Sequence, residues 1–500
     1  MWFNNGCNQN NPINLSGNTF TSNNLVTNLS LYRSDIKTNF LLAYPVMISM
    51  LGQVMTGVAD SVMVGWIGAI PLAASSFANV FFTLPLFFGV GVSYAITPLV
   101  AEAHGAKNTT GIIETLRNGF LINMLVGVAL VILIFAIEPT LYMMSQPPEV
   151  VTLAIPYLKI VGLSIIPTMM FQTFRQFAEG LHRTRMAMVI VIVSNLINIV
   201  LNYVLIYGKF GFPEMGLNGA GLATLIARIV MGVWMAAYIY YGKHFTEYRT
   251  GFPKWWRTIF GLSPRQASTR PPDPRMGNPH SHSPNGYSTT LINKMLHIGI
   301  PAGTQFIFEA GAFGFSAVMM GWIGTTALAA HQIAINLATI SYMTTSGLGA
   351  AATIRVAHFL GQRDMPTLRR VAFLMIGMAV VIMAAWAILF IVGKHFLPAL
   401  YIRDAAVLQM AAPLMIIAGF FQLSDGMQVV CAGALRGLQD VKVPSLLIFV
   451  AYWVIALPLG YWLAFPLGYG ANGIWIGLLI GLTVTATMMI VRFNILSKRI

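Results

Sequence analysis

Most of the chain is written in apolar runs of membrane-spanning length. Runs of roughly 20 residues or more, the length a helix needs to cross the hydrocarbon core, lie near 39–64, 72–100, 118–138, 153–177, 187–207, 219–241, 295–322, 327–356, 371–392, 406–432, 443–463 and 473–492. The pattern predicts twelve transmembrane helices, and the second six repeat the first. Pro45 falls on Pro301, Gly65-Trp66-Ile67-Gly68 on Gly321-Trp322-Ile323-Gly324, Leu72-Ala73-Ala74 on Leu328-Ala329-Ala330, and Gly105 on Gly361, each 256 positions apart. Such a duplication sets two related six-helix lobes face to face, with a substrate site between them that opens to one side at a time. Because six is even, both halves enter the membrane in the same direction, related by a pseudo-two-fold axis along the membrane normal. The expected fold is therefore an all-α integral membrane protein.

Composition agrees. Of 500 residues, 56% are hydrophobic and only 9% charged, with a mean hydropathy of +0.71. That is far more apolar material than a soluble core needs. In the twelve-span arrangement 23 Lys and Arg fall on the side of the termini, and four, Lys159, Lys209, Lys394 and Arg403, on the other. Arg175 and Arg228 are assigned to spans; Lys159, Arg355 and Arg492 also fall inside the run bounds and are counted with the face they adjoin. Basic residues stay on the cytoplasmic side, so both termini are expected there, in a multi-pass protein of the cell's inner (plasma) membrane. The net charge of +14 is then a topology signal, and no nucleic-acid partner is needed to explain it.

Four regions follow. Residues 1–38 hold ten Asn and no secretory signal pattern, and read as a disordered cytoplasmic N-tail. Residues 39–241 form the first lobe. Residues 242–290, with Arg270-Pro271-Pro272-Asp273-Pro274, read as a basic cytoplasmic linker that cannot make a regular element. Residues 291–500 form the second lobe and a short C-tail. Cys7 and Cys431 are the only cysteines, which argues against a disulfide or a thiolate metal site.

Carboxylates inside spans are where function should be sought, since a charge at mid-bilayer costs at least ~2.5–3.5 kcal/mol. Glu309 lies in the middle of span seven, with Gln305 and Ser316 on its face and Gly303, Gly311 and Gly314 leaving room for a partner. Asp425 in span ten shares a face with Gln422. Asp60, near the end of span one, is about two turns beyond Gln53. None of these three spans contains a Lys or Arg, so a structural ion pair would need a cation from elsewhere. Arg175 is accounted for by Glu179 one turn on. Glu309 and Asp425 therefore read as an ion or proton site. Asp60 has a neutral network to join: Asn195, Asn198 and Asn202 form a stripe on span five, and Thr224 on span six can complete it, either as an ion site or as interhelical hydrogen bonding. Two carboxylates at low dielectric resist ionising together, so they hold a proton between them or require a cation such as Na+. Gln53, Gln305 and Gln422 are expected to line a substrate cleft.

The paired G-W-I-G…L-A-A segments, Pro45 and Pro301, Phe308-Glu309 followed by His331-Gln332-Ile333-Ala334-Ile335-Asn336, and Asp425 ahead of Leu435-Arg436-Gly437-Leu438-Gln439-Asp440 resemble the multidrug and toxic compound extrusion (MATE) family, NorM branch, over about residues 38–497. The half-to-half differences fit too: Gln53 stands where Glu309 is, and Ser316 where Asp60 is. The resemblance implies a V-shaped pair of lobes, acting as a monomer, that exports small organic cations and drugs by antiport with Na+ or H+. It implies a coupling site at Glu309 and Asp425 with an aromatic contribution from Tyr342, and a first-lobe site at Asp60, Asn198 and Asn202.

Other chemistry is absent or weak. The phosphate-loop pattern G-x-x-x-x-G-K-[ST] does not occur, so nucleotide-driven pumping within this chain is not expected. No nucleophile or metal constellation suggests an enzyme, and no cofactor is implied beyond the coupling ion. His331, with no His, Cys or carboxylate nearby in sequence, reads as a hydrogen-bonding helix residue. The rival reading is a lipid-linked carrier flippase with a related duplicated bundle, which should line its cleft with Arg or Lys to meet a pyrophosphate. An acidic cleft favours cationic cargo instead.

Overall fold

The computed structural model describes residues 22–144, 146–251 and 287–499. Among these residues twelve long helices follow one another: α1 Ser22–Gly65, α2 Ala69–Gly105, α3 Thr109–Tyr142, α4 Pro148–Gly180, α5 Arg185–Ile206, α6 Gly216–Tyr241, α7 Thr289–Ile323, α8 Thr325–Gln362, α9 Met365–Val392, α10 Ala405–Gly437, α11 Lys442–Ala464 and α12 Gly470–Arg499. Eleven are long and apolar enough to cross a membrane. The exception, α8, is 38 residues long but is punctuated by His331, Gln332, Asn336 and Thr344-Thr345-Ser346. Two of the helices are interrupted: α2 turns at Tyr94-Ala95 and α4 at Ser164. Within α11, Val450–Ala456 is π-helical.

The duplication reaches the backbone. Gly68 and Gly324, joining α1 to α2 and α7 to α8, share φ values of 152° and 148°, a region essentially closed to residues with a Cβ. Lys107 and Arg363 both take the left-handed conformation, at 56° and 59°. Each is followed by a helix cap: Asn108 Oδ1 accepts from the Gly111 amide and Asp364 Oδ1 from the Thr367 amide. An N-cap acceptor satisfies one of the amides a helix start leaves free, so the sequence restarts the chain identically in each half.

Two expected boundaries move. Residues 22–38, assigned above to a disordered tail, are helical. The reason is visible at Asp35, whose carboxylate receives Arg355 at 2.8 Å and Arg370 at 3.1 Å and so ties the extension of α1 to the second half. At the start of the linker, Lys243–Gly251 forms a 3-10 turn, held by Phe245, which is buried and edge-on to Tyr238 at 5.4 Å. The rest of the linker, 252–286 with its Arg270–Pro274 run, and the tail 1–21 with Cys7 lie outside the described residues.

Among the described residues one apolar core, mostly of the second half, includes Trp475 and takes in Leu42 and Ala43 of α1; a second joins first-half residues to Met295, Ile298 and Ala302 of α7, and a third lies within the first half. The halves meet where α1 crosses α8 and where α2 crosses α7 and α8. Small residues allow the approach: Gly91 of α2 faces Gly303 of α7, and Gly347 of α8 faces Ala43 and Met47 of α1. Contact is tightest at the end carrying Lys294, Arg355, Arg370 and Arg492, hereafter the basic end. There a Cβ on Gly105 would lie 2.0 Å from the carbonyl oxygen of His358, and one on Gly361 would lie 2.0 Å from that of Glu102. Glu102 also receives Lys294 at 3.7 Å and a short hydrogen bond from Gln439. At the opposite end α1 exposes Met55, Val58, Val62 and Trp66, and α7 exposes Phe315, Val318 and Trp322.

Candidate functional site

Between the halves, towards the basic end, is a cavity lined by Tyr94, Glu179, Gln305, Glu309, Tyr342 and Arg436 among others. Its volume of about 60 Å³ holds a few waters or a hydrated ion. Drug-sized pockets need roughly 300 Å³ or more, so a drug does not fit here in this conformation.

Glu309 sits on α7, held by two amides. Gln305, one turn earlier, donates Nε2–H to Glu309 Oε1 at 3.3 Å, and Gln428 of α10 donates to the same oxygen at 3.0 Å. Gln428 Oε1 in turn accepts from the Tyr452 hydroxyl at 3.4 Å. Tyr452 belongs to the π-helical turn of α11, as does Trp453, whose indole N–H donates to the Phe308 carbonyl at 3.0 Å. Gly311 makes this fit possible: Trp453 packs where its Cβ would be, 3.0 Å away. An extra residue per turn re-aims side chains and recurs at functional sites. The two aromatics it aims were not singled out in the sequence, where Tyr452 and Trp453 look like any apolar span.

Asp425 lies on α10, 6% exposed. Its charge and that of Glu309 act on one another, and both act on the Tyr342 and Tyr452 hydroxyls. Among the described residues Asp425 makes no hydrogen bond or ion pair, and no Lys or Arg bridges Glu309. The structure thus brings Glu309 and Tyr342 to the cavity wall, with Asp425 behind them, outside the lining but close enough for charge to act between it and both. It adds Gln428, which shares the α10 face of Asp425 three residues on, and Tyr452 of α11, which sequence spacing could not have flagged because it comes from another helix.

It also adds a cation. Arg436, counted above with the basic end, points back into the cavity, 4.8 Å from the centroid of the Tyr94 ring, and its charge reaches Glu309. The cavity is consequently mixed in sign rather than acidic. Arg175 pairs with Glu179 at 2.7 Å, both fully buried.

In the first half Asp60 Oδ1 accepts from Asn202 at 2.6 Å and Oδ2 from Thr224 at 3.5 Å, while Asn198 bridges Thr224 and Asn202 at 3.3 Å to each. The four expected partners are therefore together. Asn195, on the same stripe, donates instead to the Gly52 carbonyl at 2.8 Å. Arg228 is close enough for its charge to act on Asp60, while donating to Ser164 Oγ at 2.6 Å and lying over the Phe82 ring. No ion pair joins Arg228 to Asp60 among the described residues.

The three cleft glutamines separate. Gln305 lines the cavity and Gln53 is exposed on α1. Gln422 is fully buried, accepting from Ser341 Oγ at 2.6 Å, so it faces the α8–α10 packing and not a cleft. His331 is buried edge-on to Trp475 at 5.7 Å with Nδ1 unpartnered; it makes an aromatic contact in place of the expected hydrogen bond.

The arrangement matches known proteins over most of the chain. The MatE family model matches residues 45–204 and 301–462, one match per half. The chain belongs to the MatE family. Its MATE relatives include the probable multidrug resistance protein NorM of Agrobacterium fabrum, 33% identical over 93% of this chain and 95% of that one. The multidrug resistance protein NorM of Photobacterium profundum is 32% identical over 93% and 96%. Solved structures of the same fold include a MATE in the bent conformation, with a TM-score of 0.80 at 19% identity over 94% of this chain and 97% of that one. Another is the outward-facing conformation of a multidrug resistance MATE transporter, with a TM-score of 0.79 at 19% identity over 93% and 96%. A further neighbour, a transporter from Pyrococcus furiosus with a TM-score of 0.77 at 20% identity over 93% and 96%, is described as having a binding pocket of reversed polarity that suggests a different function. Membership makes this MATE chain a membrane transporter and not an enzyme. Fold alone does not choose its cargo.

Proposed function

We propose that this chain is a secondary multidrug exporter. It exchanges organic cations for Na+ or H+ by alternating access between two six-helix lobes, whose twelve spans are related by a two-fold axis along the membrane normal. The observation that carries the reading is the pairing of Glu309 with Asp425 beside an ion-sized cavity, with no Lys or Arg bridging either carboxylate among the described residues. Such a pair binds a cation or a proton and is poorly tolerated empty, so occupancy biases the packing of α7 against α10. A cargo that biases the same equilibrium the other way is then exported at the ion's expense. The coupling ion is held at Glu309 and Asp425 with Tyr342 beside it. The Asp60, Asn198, Asn202 and Thr224 network is a second polar centre in the other lobe.

Charge distribution supports a cytoplasmic basic end, with both termini and the linker on that side of a plasma membrane. The contact of Gly105 with His358 and of Gly361 with Glu102 then closes the cytoplasmic face. Cargo is best accommodated nearer the other end, where α1 and α5 form an apolar groove of about 640 Å³ with Met55, Trp66, Tyr203 and Phe210 in its wall. That is drug-sized, and Met and aromatic walls suit varied flat cations. Arg436 is the one observation favouring the rival, a flippase for an anionic lipid-linked carrier. Its packing on Tyr94 and its reach to Glu309 leave it less free to meet a headgroup.

The test is exchange in liposomes holding the purified protein. Export of a fluorescent organic cation should be driven by an imposed Na+ gradient or by a pH gradient, and whichever works names the ion. Failure of both, together with flipping of a pyrophosphate-linked lipid, would establish the rival.

A further inference from the structure

Three histidines that the transport reading does not use converge at the basic end. His104 ends α2, His182 lies in the turn between α4 and α5, and His358 lies in the last turn of α8. The rings are 5.4 Å (His104 to His182), 5.2 Å (His104 to His358) and 4.8 Å (His182 to His358) apart, centre to centre. One ring nitrogen from each lies within 4.8 Å of those of the other two. The Nδ1 atoms of all three are buried without a hydrogen-bond partner. A buried ring nitrogen without a partner forfeits its hydrogen bond to water, and three at one spot need a common explanation.

We propose that His104, His182 and His358 bind one divalent transition-metal ion of the Zn2+ class, which bridges the two halves of the molecule at this end. Three imidazoles and a water make an ordinary zinc shell. With bonds of about 2.0–2.1 Å the ligating nitrogens stand roughly 3.4 Å apart, so the rings must draw together, which half-buried side chains at helix ends can do. The tautomer is provided for at His358: its Nε2 is 3.0 Å from Gln362 Nε2, and with the amide turned over, Gln362 Oε1 accepts Nε2–H and leaves Nδ1 free to ligate. Metal-bound histidines commonly have such a second partner.

The charged groups that act on the cluster are Arg183, in the same turn as His182, and Arg355 of α8. Both oppose a dication. Arg355 is partly offset by Asp35 at 2.8 Å. The same surroundings keep the ligands neutral, which is the form that binds metal. Burial first, then His358, His104, Arg355 and Arg183, push His182 down to about 3. Softer imidazole sites of this kind select Zn2+, Cu2+, Ni2+ or Co2+ over Mg2+ or Ca2+.

Because His104 and His182 come from one half and His358 from the other, the bound ion would hold this end shut. Binding itself does not rest on the transport reading; only the consequence for exchange does. The experiment titrates Zn2+ into the chelator-treated full chain, purified without a histidine tag, by calorimetry, with Co2+ absorption as a second readout. One ion per chain is expected. His104→Ala, His182→Ala and His358→Ala should each weaken it by about tenfold or more, as should His358→Gln, while His280→Ala with His282→Ala, two other histidines in the 242–290 linker, changes nothing. Thermal unfolding without metal checks that each variant is folded. Absence of stoichiometric binding would overturn the site, as would its loss on removing His280 and His282. Wild-type affinity in both His358 variants would overturn the bridge. In liposomes Zn2+ should slow exchange by wild type and spare the triple-alanine variant; equal inhibition of both would overturn the clamp. A wild type that exchanges nothing speaks against the transport reading and leaves the calorimetry standing.

Discussion

Glu309 Oε1 accepts a hydrogen bond from Gln428 Nε2 at 3.0 Å, and this single contact ties the carboxylate of α7 to α10, the helix that carries Asp425. Whatever changes the charge on Glu309 therefore changes how α7 and α10 hold each other. Hydrogen bonds to a charged group are worth about 1.5–3 kcal/mol. A Gln428→Leu variant keeps the bulk and removes both the donor to Glu309 and the acceptor for Tyr452. We expect the ion concentration for half-maximal drug release to move by about tenfold or more, with protein abundance unchanged. An unmoved midpoint would mean that Gln428 only fills space.

Neutralising either carboxylate should uncouple ion from cargo. In Glu309→Gln and Asp425→Asn the side-chain shapes persist and the charge that distinguishes ion-bound from empty states is gone. Folded protein that still binds drug, but whose release no longer responds to Na+ or H+, is the expected outcome. Coupling of this kind is typically 5–150-fold, so wild-type export rates in both variants would refute the site and redirect attention to Asp60.

Asp60→Asn should behave differently. Asp60 is joined to Asn202 and Thr224, and the charge of Arg228 falls on it. Removing its charge leaves Arg228 in a protein interior with Ser164 and Phe82. The expected cost is about 1–3 kcal/mol of stability, read as a lowered melting temperature in detergent at equal ion concentration. Loss of transport without a change in melting would instead assign Asp60 to the coupling chemistry.

The crossed glycines give a conformational prediction. Gly105→Ala or Gly361→Ala would place a methyl 2.0 Å from a backbone oxygen of the opposite half, and overpacking of that sort costs about 1–3 kcal/mol. Since backbone must move, the halves should part at the basic end. A cysteine introduced at Ala432, which lines the cavity, should react faster with a thiol reagent supplied from that side, in a background lacking Cys7 and Cys431. Equal rates would show that the interface absorbs the methyl locally.

Much of this molecule is legible in one dimension. Apolar run length decides which segments form long helices, because lipid obliges every backbone polar group to be satisfied within its own segment. The repeat decides that the loops at Gly68 and Gly324 match, because a given turn needs the same residue wherever it recurs. Isolated carboxylates pointed to Glu309, Asp425 and Asp60, because the cost of a charge in an apolar run is local and visible. What the one-dimensional pattern cannot weigh is which faces of separate helices meet. Arg436 belongs by sequence to the basic end and by packing to the cavity. Gln422 shares a face with Asp425 on α10, yet packing against Ser341 removes it from the cleft. Residues 22–38 look featureless until Asp35 meets Arg355 and Arg370. The three histidines, 78 and 176 positions apart in turn, become neighbours only when the two halves close on each other. Sequence determines the helices and the chemistry each one carries. Only the tertiary structure decides which of those chemistries share a cavity, because that depends on contacts between segments that are distant along the chain and adjacent in space.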